Sequence, residues 1–358
     1  MHEDRIEMAF SRTGLDEMEL REWLASNAAF LAGFAGASVL ITGATGWFGL
    51  WLLDVLCMAD DAFGLGIRIA AVSRDPERCC VRFPRFAADP RLTWIKADVR
   101  QMPLEARGFS HIIHAAAEAS TPAGPDTAQR LFETLVEGTR HLIGMAGPEC
   151  KGVLLLSSGA VYGPARPGTP RFLETDTGGP DPASMRSAYA EGKRAAEMLG
   201  AIAANRGVPV RIARCFAFVG PHMPFDKHFA IGNFIADAVA GRPIRVKSDG
   251  RPQRSYLYMT DLMRALLAIL DRGTIGLAYN VGSEDTVTIE QLARCVDRLV
   301  GGQGIVIEGV ASDPDDRYVP DTTRLRLDLG CIPEVQLETA IRRTAAWYRV
   351  QGGRSMPS

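Results

Sequence analysis

One stretch constrains this chain more than any other: Val39-Leu40-Ile41-Thr42, followed at once by Gly43-Ala44-Thr45-Gly46-Trp47-Phe48-Gly49. The apolar run predicts a short buried strand, and Leu50 to Met58 predicts an apolar helix directly after the turn. The three glycines have different jobs. Gly43 permits the tight turn, Gly46 lets the backbone approach a pyrophosphate, and Gly49 lets helix and strand pack closely. The N–H groups that open the helix then face the anion. A glycine pattern alone is a poor witness, because such spacings recur by chance. Here a strand precedes it, a helix follows it, and a tyrosine–lysine pair answers it downstream.

The chain's 358 residues suffice for a large α/β domain and a smaller lobe. A formal net charge of −2 gives no basic field, which argues against a nucleic-acid partner. Seven cysteines, odd in number and without a CxxC spacing, predict reduced thiols in a cytoplasmic protein, with neither a disulfide framework nor a metal site. The N-terminal MHEDRIEM lacks the apolar core of a signal peptide, and the run from Ala28 to Leu40 is too short and interrupted to span a bilayer. A soluble protein without a membrane partner is the expectation.

Further along, strands are predicted at Ile67–Val72, Leu92–Lys96, His111–Ala116, Gly152–Leu156 and Pro209–Cys215, with long helices over Thr127–Ala146 and Ser184–Asn205. This alternation predicts an α/β fold: a doubly wound parallel sheet of Rossmann type with right-handed crossovers. Residues 1–37 read as a helical extension, with Leu20, Trp23, Leu24 and Phe30 as its apolar face; packing on the outside of the domain is preferred to a contact with a second subunit. Residues 38–220 read as the cofactor-binding domain. After Gly220-Pro221 the elements shorten, so 221–350 reads as a smaller intertwined substrate-binding lobe, with some segments returning to the first domain. The Gly163–Pro182 stretch is long enough to form a rim or lid.

Tyr189 and Lys193 stand four apart on a predicted helix, hence on one face. An ammonium beside a phenol stabilises the phenolate and makes the tyrosine a usable acid/base near neutrality. Ser157 and Ser158 end the fifth strand, on the side of the sheet where doubly wound folds bind ligands. A Tyr-x-x-x-Lys pair by itself is usually a surface pair; its place after a strand ending in serines, downstream of the glycine turn, favours a catalytic role.

Together these motifs resemble the extended short-chain dehydrogenase/reductases, the NAD(P)-dependent nucleotide-sugar epimerase/dehydratase family. The likeness runs from Ser38 to about Gly330. It rests on TGATGWFG (Thr42–Gly49), ADV (Ala97–Val99), HAAA (His114–Ala117), LLSSGAVYG (Leu155–Gly163), YAEGK (Tyr189–Lys193), RCFAFVGP (Arg214–Pro221) and RSYLYMTD (Arg254–Asp261). The resemblance implies that Tyr189 is the general acid/base, that Lys193 orients the nicotinamide ribose and tunes Tyr189, and that Ser158 is the catalytic hydroxyl. It implies cofactor contacts from Gly43, Thr45, Gly46, Trp47, Phe48, Gly49, Ser73, Arg74, Asp98, Val99, Ala115, Ala116, Ala117 and Ser157, besides Tyr189 and Lys193. It implies substrate contacts from Glu118, Ser158, Asn233, Arg254 and Arg317. Arg254 matches the arginine that pairs with the diphosphate of a sugar nucleotide, a task suited to a forked donor. A homodimer is likewise implied.

Departures from the family pattern narrow the chemistry. Dehydratases of the family carry Asp-Glu after the catalytic hydroxyl residue, and sugar-acid decarboxylases keep a Glu in that pair; here Gly159 and Ala160 stand there and can transfer no proton. Leu135 and Ala217 replace two customary asparagines. At the end of the second strand, where NAD enzymes usually place an acidic residue, the chain has Ser73-Arg74. Arg74 points to the 2′-phosphate of NADP; the alternatives are that it stacks on adenine or that Asp75 takes the ribose. The expected activity is epimerisation of a nucleotide hexose through transient oxidation at C4. An NADPH-dependent 4-ketoreductase is the alternative. Further rivals are a reductase of small non-nucleotide ketones and a non-catalytic cofactor-binding scaffold, which would be expected to lose the Tyr–Lys pair.

Overall fold

The computed structural model describes residues 17–102, 108–116, 124–225, 229–310 and 316–350. Within them a seven-stranded sheet draws six strands from residues 38–215 and the seventh from 278–281. Its strands are β1 (Ser38–Thr42), β2 (Arg68–Ser73), β3 (Leu92–Lys96), β4 (His111–His114), β5 (Gly152–Ser158), β6 (Val210–Cys215) and β7 (Ala278–Val281). The order is β7-β6-β5-β4-β1-β2-β3, with the chain reversing its direction of travel across the sheet between β3 and β4. Strand β1 pairs in parallel with β2 on one side and β4 on the other, so the glycine turn leaves the sheet at its switch point, where doubly wound folds bind ligands. The parallel Rossmann-type sheet expected from the alternation is the architecture found.

The strands read as continuous apolar runs because both faces are covered. All seven positions of β5 are buried. Leu40, Val72, Ile112, Val153, Leu155 and Ile212 converge on one core with Leu142 and Met145. Helix α1 (Glu17–Leu31) packs against α2 (Trp47–Phe63), burying Leu20, Trp23, Leu24 and Leu31, while Phe30 is only half-buried. Helix α2 is itself buried along most of its length, which explains its all-round apolar sequence. Helices α3 (Pro125–Ile143) and α4 (Ala188–Asn205) pack closely side by side. Gly192 of α4 makes this possible: a Cβ there would stand 2.7 Å from Cδ1 of Leu135.

The chain divides into two compact units. The first takes the described residues within Met1–Val161, Asp181–Arg214 and Leu266–Ala278; the second takes those within Tyr162–Pro180, Cys215–Ala265 and Tyr279–Ser358. Leu266–Ala278, from beyond residue 220, groups with the first unit. Residues 162–180 group with the second unit because they are bonded into it. Phe172 donates its N–H to Val319 O and accepts the N–H of Asp321, and the Tyr162 hydroxyl donates to Asn280 Oδ1 at 2.7 Å. The ring of Phe172 stacks on Tyr162 at 5.0 Å. The second unit also holds a three-stranded sheet with Gln253–Arg254 at its centre, antiparallel to Val287–Thr288 and parallel to Arg317–Tyr318. A further parallel pair joins Ile244–Ser248 to Ile305–Val310.

Candidate active site

The glycine turn has the geometry its sequence requires. Gly43 lies at φ +67°, and a Cβ there would meet the carbonyl of Ala115 at 2.7 Å. At Gly49 a Cβ would stand 2.3 Å from the carbonyl oxygen of Gly43. Both contacts are with backbone, which cannot swing aside. Gly46 precedes the first turn of α2; no side chain caps that helix, and its first turn carries no acidic residue. A steric cradle that only glycine can line, opening on an uncapped helix start, fits the pyrophosphate of a dinucleotide.

Around the turn, several of the expected cofactor residues come together. Ala115 donates its N–H to Thr42 O and Ala116 to Thr42 Oγ1. Thr42 Oγ1 also bonds His114 Nδ1 at 2.7 Å. Burial, reinforced by the Lys193 charge, pushes the His114 imidazole down to about 3, so it is neutral. Thr45 Oγ1 and Ser73 Oγ share a hydrogen bond of 3.0 Å, and Ser73 Oγ accepts the Asp75 N–H. Trp47 and Phe48 are half-buried beside each other, with ring centroids 5.6 Å apart. Arg74 is exposed at the end of β2. Asp75 is not idle: its Oδ1 accepts the Arg78 N–H and caps the short helix Pro76–Arg82. Asp98 is forked to Arg100, whose hydrogen bonds, aided by the charges of Arg100 and Arg74, hold its carboxyl below the usual range. Val99 is buried where a Cβ on Gly138 of α3 would meet it at 2.8 Å. Ala117 and Glu118 lie outside the described residues.

The three expected catalytic residues sit where β5 meets α4. Lys193 is 5% exposed and donates from Nζ to Leu156 O at 2.5 Å. Its ammonium stands 5.8 Å from the ring centroid of Tyr189, one helical turn back. Ser158, the last residue of β5, is buried and its Oγ accepts the N–H of Ala160. That bond uses a lone pair of the hydroxyl. Ser157 differs: its hydroxyl donates to Glu197 Oε1 at 2.5 Å. Gly159 and Ala160 open a 3₁₀ turn, Gly159–Tyr162, and neither bears an ionisable group.

The whole of the match in one comparison spans residues 39–282, which fit the model of the NAD dependent epimerase/dehydratase family. The chain belongs to that family. UDP-glucuronic acid decarboxylase 1 of Xenopus tropicalis is 31% identical over 313 residues, covering 87% of this chain and 72% of that protein. UDP-glucuronic acid decarboxylase 6 of Arabidopsis thaliana is 29% identical over 326 residues, covering 88% of this chain and 90% of that one. Among solved structures, the NAD-bound dTDP-glucose 4,6-dehydratase of Streptomyces venezuelae superposes with a TM-score of 0.74 at 25% identity, covering 88% of this chain and 98% of the other. The resemblance read from the motifs is thus a family membership.

Three of the expected substrate residues, Asn233, Arg254 and Arg317, belong to the second unit. In the second unit Arg254 pairs with Asp316, Nη1 to Oδ1 at 3.0 Å and Nη2 to Oδ2 at 3.1 Å. Arg317 is on the adjacent strand, and the register sets it opposite Gln253 and sets Tyr318 opposite Arg254. Successive strand residues point to opposite faces, so the two arginines face opposite ways. Arg317 and Gln253 line a cleft of about 690 Å³ with Thr169, Arg171 and Asp321, and Arg317 Nη1 donates to the carbonyls of Thr169 and Pro170. Asn233 is half-buried on the helix Ala230–Val239. Among the described residues no helix is long and apolar enough to cross a membrane.

Three residues around the Tyr189–Lys193 pair are given no role by sequence: His114 and Arg214, which head the HAAA and RCFAFVGP motifs, and Glu197, which lies in none of them. Glu197 follows Lys193 by four residues, the spacing already used for Tyr189 and Lys193, and that periodicity was the available signal.

Proposed function

We propose that this chain is a nucleotide-sugar-modifying enzyme that epimerises the hexose of a nucleoside diphosphate sugar by transient oxidation at C4. The observation that carries the reading is the Tyr189–Lys193 pair on α4, with Lys193 buried and bonded to the β5 backbone two residues before Ser158. The glycine cradle, Ser73 and the Ala115–Ala116 backbone would hold the cofactor. A bound nicotinamide supplies a hydride acceptor and donor. The chain supplies the rest: Tyr189 takes the hydroxyl proton as its phenolate and returns it as the phenol. Lys193, kept in place by Leu156 O, stabilises that phenolate, and the Ser158 hydroxyl donates to the reacting oxygen.

The decarboxylases that resemble this chain act, by their names, on UDP-glucuronic acid. Gly159 and Ala160 argue against that outcome here, since neither side chain, directly after Ser158, can move a proton. Arg254 is the proposed diphosphate partner, with Asn233 and Arg317 as further substrate contacts. A homodimer is proposed as well, through the exposed apolar side chains Phe132 of α3 and Met198 and Ile202 of α4.

A second reading, an NADPH-dependent 4-ketoreductase, rests on Arg74. It is exposed beside Ser73, and the neighbouring Asp75 is committed to capping a helix rather than to a ribose. The deciding experiment incubates the purified protein with UDP-hexoses and their 4-keto derivatives, with and without NADPH, and follows the sugars by proton NMR. Appearance of the C4 epimer without added cofactor supports the epimerase. Strict consumption of NADPH supports the reductase. Release of carbon dioxide from UDP-glucuronic acid would overturn both.

A further inference from the structure

An ion pair beneath the catalytic helix has a role that none of the motifs announces. Glu197 of α4 and Arg214 near the end of β6 form a forked pair, with Arg214 Nη2 donating to Glu197 Oε2 at 2.7 Å and Nε to Oε1 at 3.0 Å. Both side chains are nearly buried, at 13% and 15% exposure. The same Glu197 accepts the Ser157 hydroxyl from the end of β5. Tyr189, Lys193 and Glu197 recur every four residues, so one helix face carries all three. That face is therefore fastened to the sheet twice in succession: Lys193 to Leu156 O, and Glu197 to Ser157 and Arg214.

We propose that Glu197, together with Arg214 and Ser157, is a positioning residue for the Tyr189–Lys193 pair, clamping their helix to β5 and β6 while adding no net charge beside them. The proposal rests on the acid/base reading of Tyr189. A half-buried carboxylate alone would oppose ionisation of the phenol, and a half-buried guanidinium alone would favour it. Paired, they hold the helix and leave the field to Lys193. Glu191 and Arg194 on α4 pair with each other, His114 on β4 is neutral, Arg186 lies in the turn ahead of the helix, and α3 presents Leu135 to Gly192.

The test reads the phenol directly. Phenolate absorbance near 295 nm is titrated in the wild type and in Tyr189→Phe, and the difference isolates the Tyr189 step. The same titration is run on Glu197→Gln, Arg214→Gln and the double variant. Eight residues of helix separate Tyr189 from Glu197, roughly 12 Å. One uncancelled charge at that distance, with an effective dielectric constant of about 40, moves the step by roughly half a pH unit. Glu197→Gln is expected to lower it, Arg214→Gln to raise it, and the double variant to return it close to the wild-type value. Amide hydrogen exchange over 188–193 is expected to quicken at least tenfold in Glu197→Gln and in the double variant, where the clamp is gone. Single variants that shift the step in the same direction, or leave both the step and the exchange unmoved, overturn the proposal. Should an Arg214 variant not fold, Glu197→Gln and Ser157→Ala carry the test: the first must lower the step, the second must leave it in place. Absence of any step separating wild type from Tyr189→Phe overturns the acid/base reading itself, a result distinct from failure of the clamp.

Discussion

The two units hold their site residues by different physics. In the first, the glycine cradle is fixed by backbone against backbone, and Lys193 by a buried bond to a strand carbonyl. In the second, Arg254 is fixed by a side-chain ion pair with Asp316, the two partners 26% and 39% exposed. A steric cradle cannot adapt, whereas a partly exposed ion pair is worth at most about 1 kcal/mol and exchanges its anion readily. Rigidity suits a cofactor that must present the same atom at every turnover; exchangeability suits a substrate that must come and go.

The comparison breaks most decisively at the cradle. Gly49→Val would place side-chain atoms into the Gly43 carbonyl and the Ala44 backbone, already 2.3 and 2.6 Å from a Cβ. Binding of NAD, followed by calorimetry, is expected to weaken more than 100-fold, and the melting temperature to fall, since overpacking of this kind costs about 1–3 kcal/mol. Gly46→Ala, whose Cβ would have only a 3.3 Å contact within the chain, is expected to lower the melting temperature far less, while still weakening NAD binding because the added methyl stands where the pyrophosphate approaches. An equal fall in melting temperature from both would mean that the cradle is not sterically fixed.

Next in size is Tyr189→Phe. Loss of the acid/base is expected to lower turnover by roughly 10²–10⁴-fold, with NAD affinity within a factor of a few of the parent. A variant that keeps its turnover removes Tyr189 from the chemistry. Across the comparison, Arg254→Ala is expected to weaken binding of a nucleoside diphosphate by roughly tenfold or more, in line with loss of a charge-assisted bidentate contact, and to leave NAD binding unchanged. Loss of NAD binding in that variant would contradict the separation of roles.

A smaller effect concerns stability. Burial holds the His114 imidazole down near 3 and His111 near 4, below the ordinary value of about 6.5 for an unfolded histidine. A depressed folded pKa means that the unfolded chain binds protons first. The contribution is therefore complete above pH 6.5 and is lost progressively as the pH falls toward 4 and then 3. Urea midpoints measured from pH 7.5 to 4.5 should fall through this window, and His114→Gln should flatten the fall. An unchanged slope would mean that His114 is not neutral in the fold.

How much of this could be read beforehand divides along the same line as the comparison. The cradle was legible because its constraint is local: Gly43, Gly46 and Gly49 answer to a turn made by their own neighbours. Tyr189 and Lys193 were legible because a helix repeats every 3.6 residues. The sheet was legible because β5 carries the unbroken apolar run Val153–Leu156, as a strand covered on both faces does. Glu197 and Arg214 were hidden, since their pairing depends on bringing a helix and a strand 17 residues apart to one place. The opposed facings of Arg254 and Arg317 were hidden for a like reason: they follow from a register between strands some 60 residues apart, which no local pattern encodes. The capping role of Asp75 lay within reach, because Asp followed by Pro is a common helix start, and it removes that carboxylate from competition for a ribose.

The finest test of the contrast is Asp316→Asn. Asp316 gives Arg254 two oxygens at 3.0 and 3.1 Å, and its carbonyl is a further acceptor at 3.3 Å. If the diphosphate of a substrate takes over this arginine, the carboxylate must first be displaced, and its removal lowers the cost of binding. An exposed pair of this kind contributes about 0.2–1 kcal/mol, so the variant is expected to bind a nucleoside diphosphate roughly 1.5- to 5-fold more tightly. The gain should shrink as salt is raised, because added ions screen the competing carboxylate as well as the ligand. Weaker binding in Asp316→Asn would instead assign Asp316 to orienting Arg254, and the second unit would then be as preorganised as the first.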